Sequence, residues 1–380
     1  MLYFDHTATG LIDREVVDFY AEQLIRNNYN PAARYPAAFE AAESIRESKR
    51  QMAEILSCQP EELLITSGAT ESINTALKGI AYAPNPKNRR ILTSPLEHPA
   101  TNASLRFLVD QLDYQVDYLK VDSQGKVDLE HLAACLRQNS YDLLTIIQVN
   151  NVLGSVNPIE EIVKLKNQIQ PGLPIHIDAV QSLGKIPLCL NQLGPNLASF
   201  SLHKIGSPKG IGLLYLARGT RIESLIHGGG QQSGLRSGTE NPALVATAAF
   251  CLKRLAQNFE RDLATVTQLK SYLLNRLGAA KVNYTLLSPE DGVPHILSIC
   301  FPGLRAESLL NVLASWGIAL SIGSACSSKK SEQNPVLKAL KLPSQMDRHI
   351  LRISLDPTNS EEEIDELVQK ISQALAKYAL

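Results

Sequence analysis

Between Ser67 and Leu216 apolar runs alternate with amphipathic stretches, and that order admits few architectures. The runs Ile91-Leu92-Thr93, Leu143 to Val149, Pro174 to Ile177, Leu197 to Ser201 and Gly212 to Leu216 are dense in apolar residues, as strands buried on both faces must be. Val163, Leu165 and Ile169 point to a helix between two of them. Strand and helix in alternation predict an α/β fold, a mainly parallel sheet with helices on both faces. Past about residue 245 the pattern changes. Long helical segments run from Leu244 to Gly278, then come a strand at Ile296 to Cys300, a helix at Ala306 to Trp316 and a strand at Leu351 to Ser354. That reads as a smaller α+β domain, and a chain of 380 residues favours two subdomains over one very large core.

Two strand ends carry chemistry. Ile175-His176-Ile177 ends in Asp178, and the run Leu197 to Phe200 leads into Ser201-Leu202-His203-Lys204. A carboxylate at one strand end and a lysine after another suit pyridoxal phosphate (PLP). The lysine can hold the cofactor aldehyde as a Schiff base, and the aspartate can keep the pyridine nitrogen protonated. A phosphate also needs a cradle. Leu63 to Thr66 reads as a strand, followed by Ser67-Gly68-Ala69-Thr70 and a helical stretch. A helix N-terminus offers free backbone N–H groups to an anion, although Ser-Gly-Ala-Thr alone also reads as an ordinary helix start.

Further motifs follow in order. They are Glu97-His98-Pro99-Ala100, Val149-Asn150-Asn151, His176-x-Asp178-Ala179-x-Gln181-Ser182, His203-Lys204 with Pro208-Lys209-Gly210, Gly228-Gly229-Gly230 with Arg236-Ser237-Gly238-Thr239, and Gly323-Ser324-Ala325-Cys326. Together with Ser67 to Ser72 they resemble the NifS/IscS-like cysteine desulfurases, in class V of the fold-type I PLP enzymes. The resemblance runs from Tyr3-Phe4-Asp5 to the segment Glu361 to Asp365. It implies a seven-stranded-type sheet in a large PLP-binding domain, residues 13–245. Residues 1–12 and 246–380 would form the small domain, which carries Cys326 and Arg352.

The resemblance also implies roles. Lys204 binds PLP, Asp178 holds the ring nitrogen, and Gln181 and Asn151 contact the phenolic oxygen. His98 stacks on the ring and moves protons, a task suited to an imidazole. Ala69, Thr70, Ser201 and His203 belong to the cofactor site, with Thr70, Ser201 and His203 as phosphate ligands. Thr239 resembles a ligand donated by the other subunit of a homodimer. Arg352, with Asn151, resembles the substrate carboxylate site, where a planar fork suits the carboxylate. A rim salt bridge is the other reading of Arg352. Cys326 sits among Gly, Ser and Ala residues and resembles the thiol that takes sulfur from L-cysteine as a persulfide and delivers it to an acceptor protein.

The implied activity is conversion of L-cysteine to L-alanine. A cysteine C–S lyase or selenocysteine lyase, which needs no Cys326, is the alternative, as is a weakly active platform for a partner. Iron–sulfur assembly, tRNA thiolation and DNA phosphorothioation all stay open as destinations. Tyr35, Gln148, Val152, Gly206-Ser207 and Gln231-Gln232 depart from the family's usual residues. Those at Tyr35, Gln148, Val152 and Gln231 suggest a dedicated acceptor. A formal net charge of -1 gives no reason to expect a direct nucleic-acid or membrane surface. With no run of 18 apolar residues and no signal peptide in Met1 to Asp5, the expected location is cytoplasmic. The six cysteines form no Cys-x-x-Cys pair, so no zinc site or disulfide frame is expected.

Overall fold

A computed structural model describes residues 1–83, 88–322, 335–343, 346 and 348–378. A seven-stranded sheet organises the larger part. Its strands lie in the order Leu63–Thr66, Gly212–Leu216, Leu197–Ser201, Ile175–Asp178, Leu143–Ile147, Arg90–Thr93 and Gln115–Tyr118. The four pairings from Leu197–Ser201 to Gln115–Tyr118 are parallel, and Gly212–Leu216 is antiparallel to both its neighbours.

The alternation of side chains explains the near-continuous apolar runs. Leu63, Leu92, Leu144, Ala198, Leu213 and Tyr215 pack into one core, while Leu64, Ile91, Leu143, Leu197 and Leu214 pack into another. Neighbours in sequence point to opposite faces, and helices cover both. The run expected to reach Val149 ends as a strand at Ile147, because beyond it Asn150 turns the chain. Its Oδ1 accepts the N–H groups of Val152 and Leu153, both at 2.9 Å.

A polar line crosses this buried sheet. Thr93 Oγ1 donates to the Thr145 carbonyl at 3.0 Å, Thr145 Oγ1 meets His176 Nδ1 at 2.8 Å, and His176 Nε2 meets Ser199 Oγ at 2.9 Å. His176 is therefore satisfied inside the sheet, and burial pushes its pKa down to about 3. It is a neutral structural residue beside Asp178.

The long helical segments form one helix, Pro242–Ala279, of 38 residues. Asn241 caps it by accepting the Leu244 N–H at 3.0 Å, and Pro242 starts it. Val245, Ala248, Ala249 and Leu252 join the large sheet's core. Val266, Leu269, Leu273 and Leu277 join a separate core with Leu297, Leu351 and Ile364. One rod thus belongs to two cores. The second core lies against the antiparallel strands Ser321–Ile322, Ile350–Ser354, Ile296–Cys300 and Thr285–Leu286.

The N-terminus enters that second core. Leu2 and Tyr3 pair in parallel with Ile318 and Ala319, Phe4 is fully buried there, and Asp5 bridges Ser354. No helix among the described residues is long and apolar enough to cross a membrane.

Candidate active site

Asp178 and Ser201 stand at the C-terminal ends of adjacent strands, and Gly68 to Thr70 follow the end of another. Loops beyond strand ends gather at one edge of the sheet, which is where α/β folds place ligands. A cavity of about 450 Å³ opens there. It is lined by Ala69, Thr70, His98, Asn151, Asp178, Gln181, Ser201, His203, Lys204 and Arg352. Thr239 is exposed and does not line it. Cys326 lies outside the described residues.

Lys204 follows Ser201 through a short helical turn. Its Nζ donates to the Thr7 carbonyl at 2.8 Å and to the Ala8 carbonyl at 2.6 Å. Burial and the Arg352 charge push its pKa down to about 8, against the pull of Asp5 and Asp178. Its amine is therefore far easier to deprotonate than an ordinary lysine. Asp178 is buried, and its Oδ1 accepts the Val180 N–H at 3.0 Å. Burial raises its pKa while His98 and Lys204 favour its charge, and among the described residues it forms no ion pair.

The cradle rests on a close approach of backbones. A Cβ at Gly212 would meet the Gly68 backbone at 2.6 Å, so only glycine lets the two segments pack. The helix Ala69–Tyr82 then starts at the cavity with its first-turn N–H groups free of intrahelical partners. Arg236 braces this turn from outside through Glu71, at 2.9 and 3.3 Å. His203 Nδ1 lies 3.0 Å from Thr9 Oγ1, and burial followed by the Lys204 charge lowers its pKa to about 4. His98 caps the helix Pro99–Leu112 by accepting the Ala100 N–H at 3.1 Å, and burial lowers its pKa.

Arg352 comes from the strand Ile350–Ser354 in the smaller core. Its guanidinium donates to the Asn151 carbonyl and to Asp5 Oδ1, each at 2.9 Å. Nε is buried with no partner among the described residues. The fork is thus buried and only partly used, not a solvated rim charge.

Several contributors carried no sequence signal. Thr7 and Ala8 act through carbonyls, which any residue type supplies. Asp5 and Glu97 stood inside motifs without an assigned role. Glu97 Oε1 accepts from Ser94 Oγ at 2.6 Å and from the Ile147 N–H at 2.9 Å. Burial raises its pKa to about 8.

The departures from the usual pattern separate by burial. Gln148 and Val152 are 4% and 5% exposed, so both are buried side chains. Tyr35 is 45% exposed and starts the helix Pro36–Leu56. Gln231 Oε1 accepts the Gly238 N–H at 2.9 Å, which holds the loop beside Thr239. Gln232 bonds both backbone groups of Ile65, at 2.7 and 2.9 Å, and closes the edge of the sheet there.

The site fits PLP on this evidence. A protonated pyridine nitrogen would supply the direct ion-pair partner that Asp178 has not found among the described residues, the cradle would take the phosphate, and Lys204 presents an amine of lowered pKa. The profile of the class-V aminotransferases matches residues 2–367. The chain belongs to that family. Members of the class-V aminotransferase and cysteine desulfurase families depend on PLP. The cysteine desulfurase IscS of Serratia proteamaculans is 36% identical over 381 residues, covering 99% of this chain and 93% of the relative. A solved NifS-like protein superposes with a TM-score of 0.92 at 33% identity, covering 99% of both chains. SspA, solved in complex with cysteine, superposes with a TM-score of 0.82 at 28% identity, covering 95% of this chain and all of the other.

Proposed function

We propose that the chain is a PLP-dependent cysteine desulfurase that converts L-cysteine to L-alanine and leaves a persulfide on Cys326. The convergence of Lys204, Asp178 and Arg352 on one cavity carries this reading. Bound there, PLP would draw electrons from the substrate carbon. Lys204 would hold the cofactor covalently and, with His98, move protons. Asp178 would keep the ring nitrogen protonated by a charge-assisted hydrogen bond. Gln181 and Asn151 would meet the phenolic oxygen. Ala69, Thr70, Ser201 and His203 would hold the phosphate end. Arg352 would bind the substrate carboxylate and so set which atom faces Lys204.

The Cys326 thiolate then attacks the substrate sulfur. An S–S bond forms, the substrate C–S bond breaks, and the carbon takes the electron pair and finally a proton. The balance is L-cysteine plus enzyme thiol to L-alanine plus enzyme persulfide.

The residues from 1–12 and 246–380 form, in this reading, the domain that presents Arg352 and Cys326 to residues 13–245. Thr239 serves the partner's cofactor in a homodimer, which suits its exposure outside its own cavity. The persulfide passes to an acceptor protein. The test is product analysis on purified protein with L-cysteine. Alanine with one equivalent of protein persulfide supports the reading, whereas pyruvate and free sulfide without need of Cys326 would assign a C–S lyase.

A further inference from the structure

Lys185 is a buried cation without a counterion. It forms no salt bridge among the described residues, and the charges that act on it are mixed. Burial first, then Lys204 and Arg352, disfavour its charge and lower its pKa to about 8, Asp356 favours the charge, and His295 stands in reach of its field. Among the described residues its side chain makes one hydrogen bond, to a side chain of the cavity: Nζ donates to Gln181 Oε1 at 2.9 Å. The turn that allows this contact depends on Gly184. That residue sits at φ +75°, and a Cβ there would meet Leu255 Cδ1 at 2.5 Å.

The contact decides the polarity of Gln181. An amide has an acceptor end and a donor end of nearly equal shape, and only its partners choose between the two orientations. Below about pH 8 Lys185 is an ammonium, which can only donate, so Oε1 must face it. The other end donates to the Thr7 carbonyl at 3.1 Å, and a carbonyl can only accept. A flipped amide would set N–H against ammonium and oxygen against oxygen. With both ends fixed, Nε2 has one N–H left, on a residue that lines the cavity. The Thr7 carbonyl also receives Lys204, so Lys185, Gln181 and Lys204 form one hydrogen-bonded line.

We propose that Lys185 is a positioning residue that forces Gln181 to present a hydrogen-bond donor, not an acceptor, to the cofactor oxygen. This rests on reading the cavity as the PLP site. It also explains why a cation is kept where no anion pairs with it. Taking a charge out of water is costly when no ion pair offsets it.

The test uses the cofactor-loaded protein and its visible absorbance from pH 6 to 10, beside urea unfolding. Lys185→Met should keep the borohydride-stable adduct at Lys204 and be no less stable than wild type. Its absorbance midpoint should move up by about one unit, because the lost cation and the lost donor both favour the protonated form. Gln181→Ala should move the midpoint in the same direction. The double variant should move it by less than the sum. Lys185→Arg, still a pure donor, should return the midpoint towards wild type, while Lys185→Gln should not.

A Lys185→Met midpoint at the wild-type value, or strictly additive shifts, overturns the proposal. If Lys185→Met does not fold, the Arg and Gln variants decide, and equal midpoints for those two overturn it. Failure of wild type itself to form an adduct at Lys204 would instead remove the underlying site reading.

Discussion

Arg352 and Asp5 stand 347 residues apart in the chain and form an ion pair at 2.9 Å inside the cavity wall. The guanidinium is 6% exposed and the carboxylate 19%, so the pair is screened little by solvent. Asp5 holds the fork in place while leaving part of it unused. Arg352→Ala should lower kcat/KM for cysteine by ~30- to 150-fold, the loss of a charge-assisted contact of about 2–3 kcal/mol. Steady-state kinetics checks this, and an unchanged KM would return Arg352 to a purely structural role.

Lys204 must lose its proton before it can attack an aldehyde. With its pKa at about 8, adduct formation by the cofactor-free protein should accelerate as pH rises through that value. The Arg352 charge is part of the depression, so Arg352→Ala should shift the midpoint upward. Stopped-flow absorbance across pH 6 to 10 reads both midpoints. Lys204→Ala should give no borohydride-stable adduct at any pH.

Glu97 carries its proton in the folded state up to about pH 8, against an ordinary 4.5. Between those values the folded protein binds a proton that the unfolded chain has released. Stability contributed at low pH is therefore lost as pH rises through this window. Glu97→Gln removes that titration. Its stability relative to wild type should improve steadily from pH 5 to 8 in urea unfolding, and a constant difference would mean Glu97 is ionised in the fold.

The cysteines should divide by their surroundings. Burial pushes Cys58 up to about 12 and Cys251 up to about 11, so both stay thiols at neutral pH. Mass spectrometry after cysteine treatment should find persulfide on Cys326 and none on these two. Cys326→Ser should abolish the persulfide and retain the cofactor absorbance.

Much of this arrangement was legible in the sequence because it is written in side chains. Strands buried on both faces produce runs such as Leu197–Ser201 and Ile296–Cys300, and these appear as expected. Asp178, Gln181, Ser201, His203 and Lys204 stand in motifs, and the fold brings them to one cavity. The strand Gln115–Tyr118 escaped notice because it is an edge strand with exposed ends and no apolar run. The partners of Lys204 escaped because they are carbonyls. Lys185 escaped because one lysine four residues after a glutamine signals nothing until a turn folds it back. The burial of Gln148 and Val152 escaped because a change of residue type in a motif does not reveal burial.

The order in which the chain is made bears on when this cavity can exist. Asp5, Thr7 and Ala8 leave the ribosome long before Arg352, yet Asp5 waits for Arg352 and the Thr7 N–H waits for Ser354 Oγ, which it meets at 3.0 Å. The strands of the large sheet are all translated by Leu216, and contacts of shorter range close sooner. A nascent chain stalled before residue 352 would therefore hold a folded sheet with Lys204 on it, but its opening segment would have no anchor in the second core. Cofactor capture in its final geometry then waits until the chain has been made past Ser354, long after Lys204 has emerged.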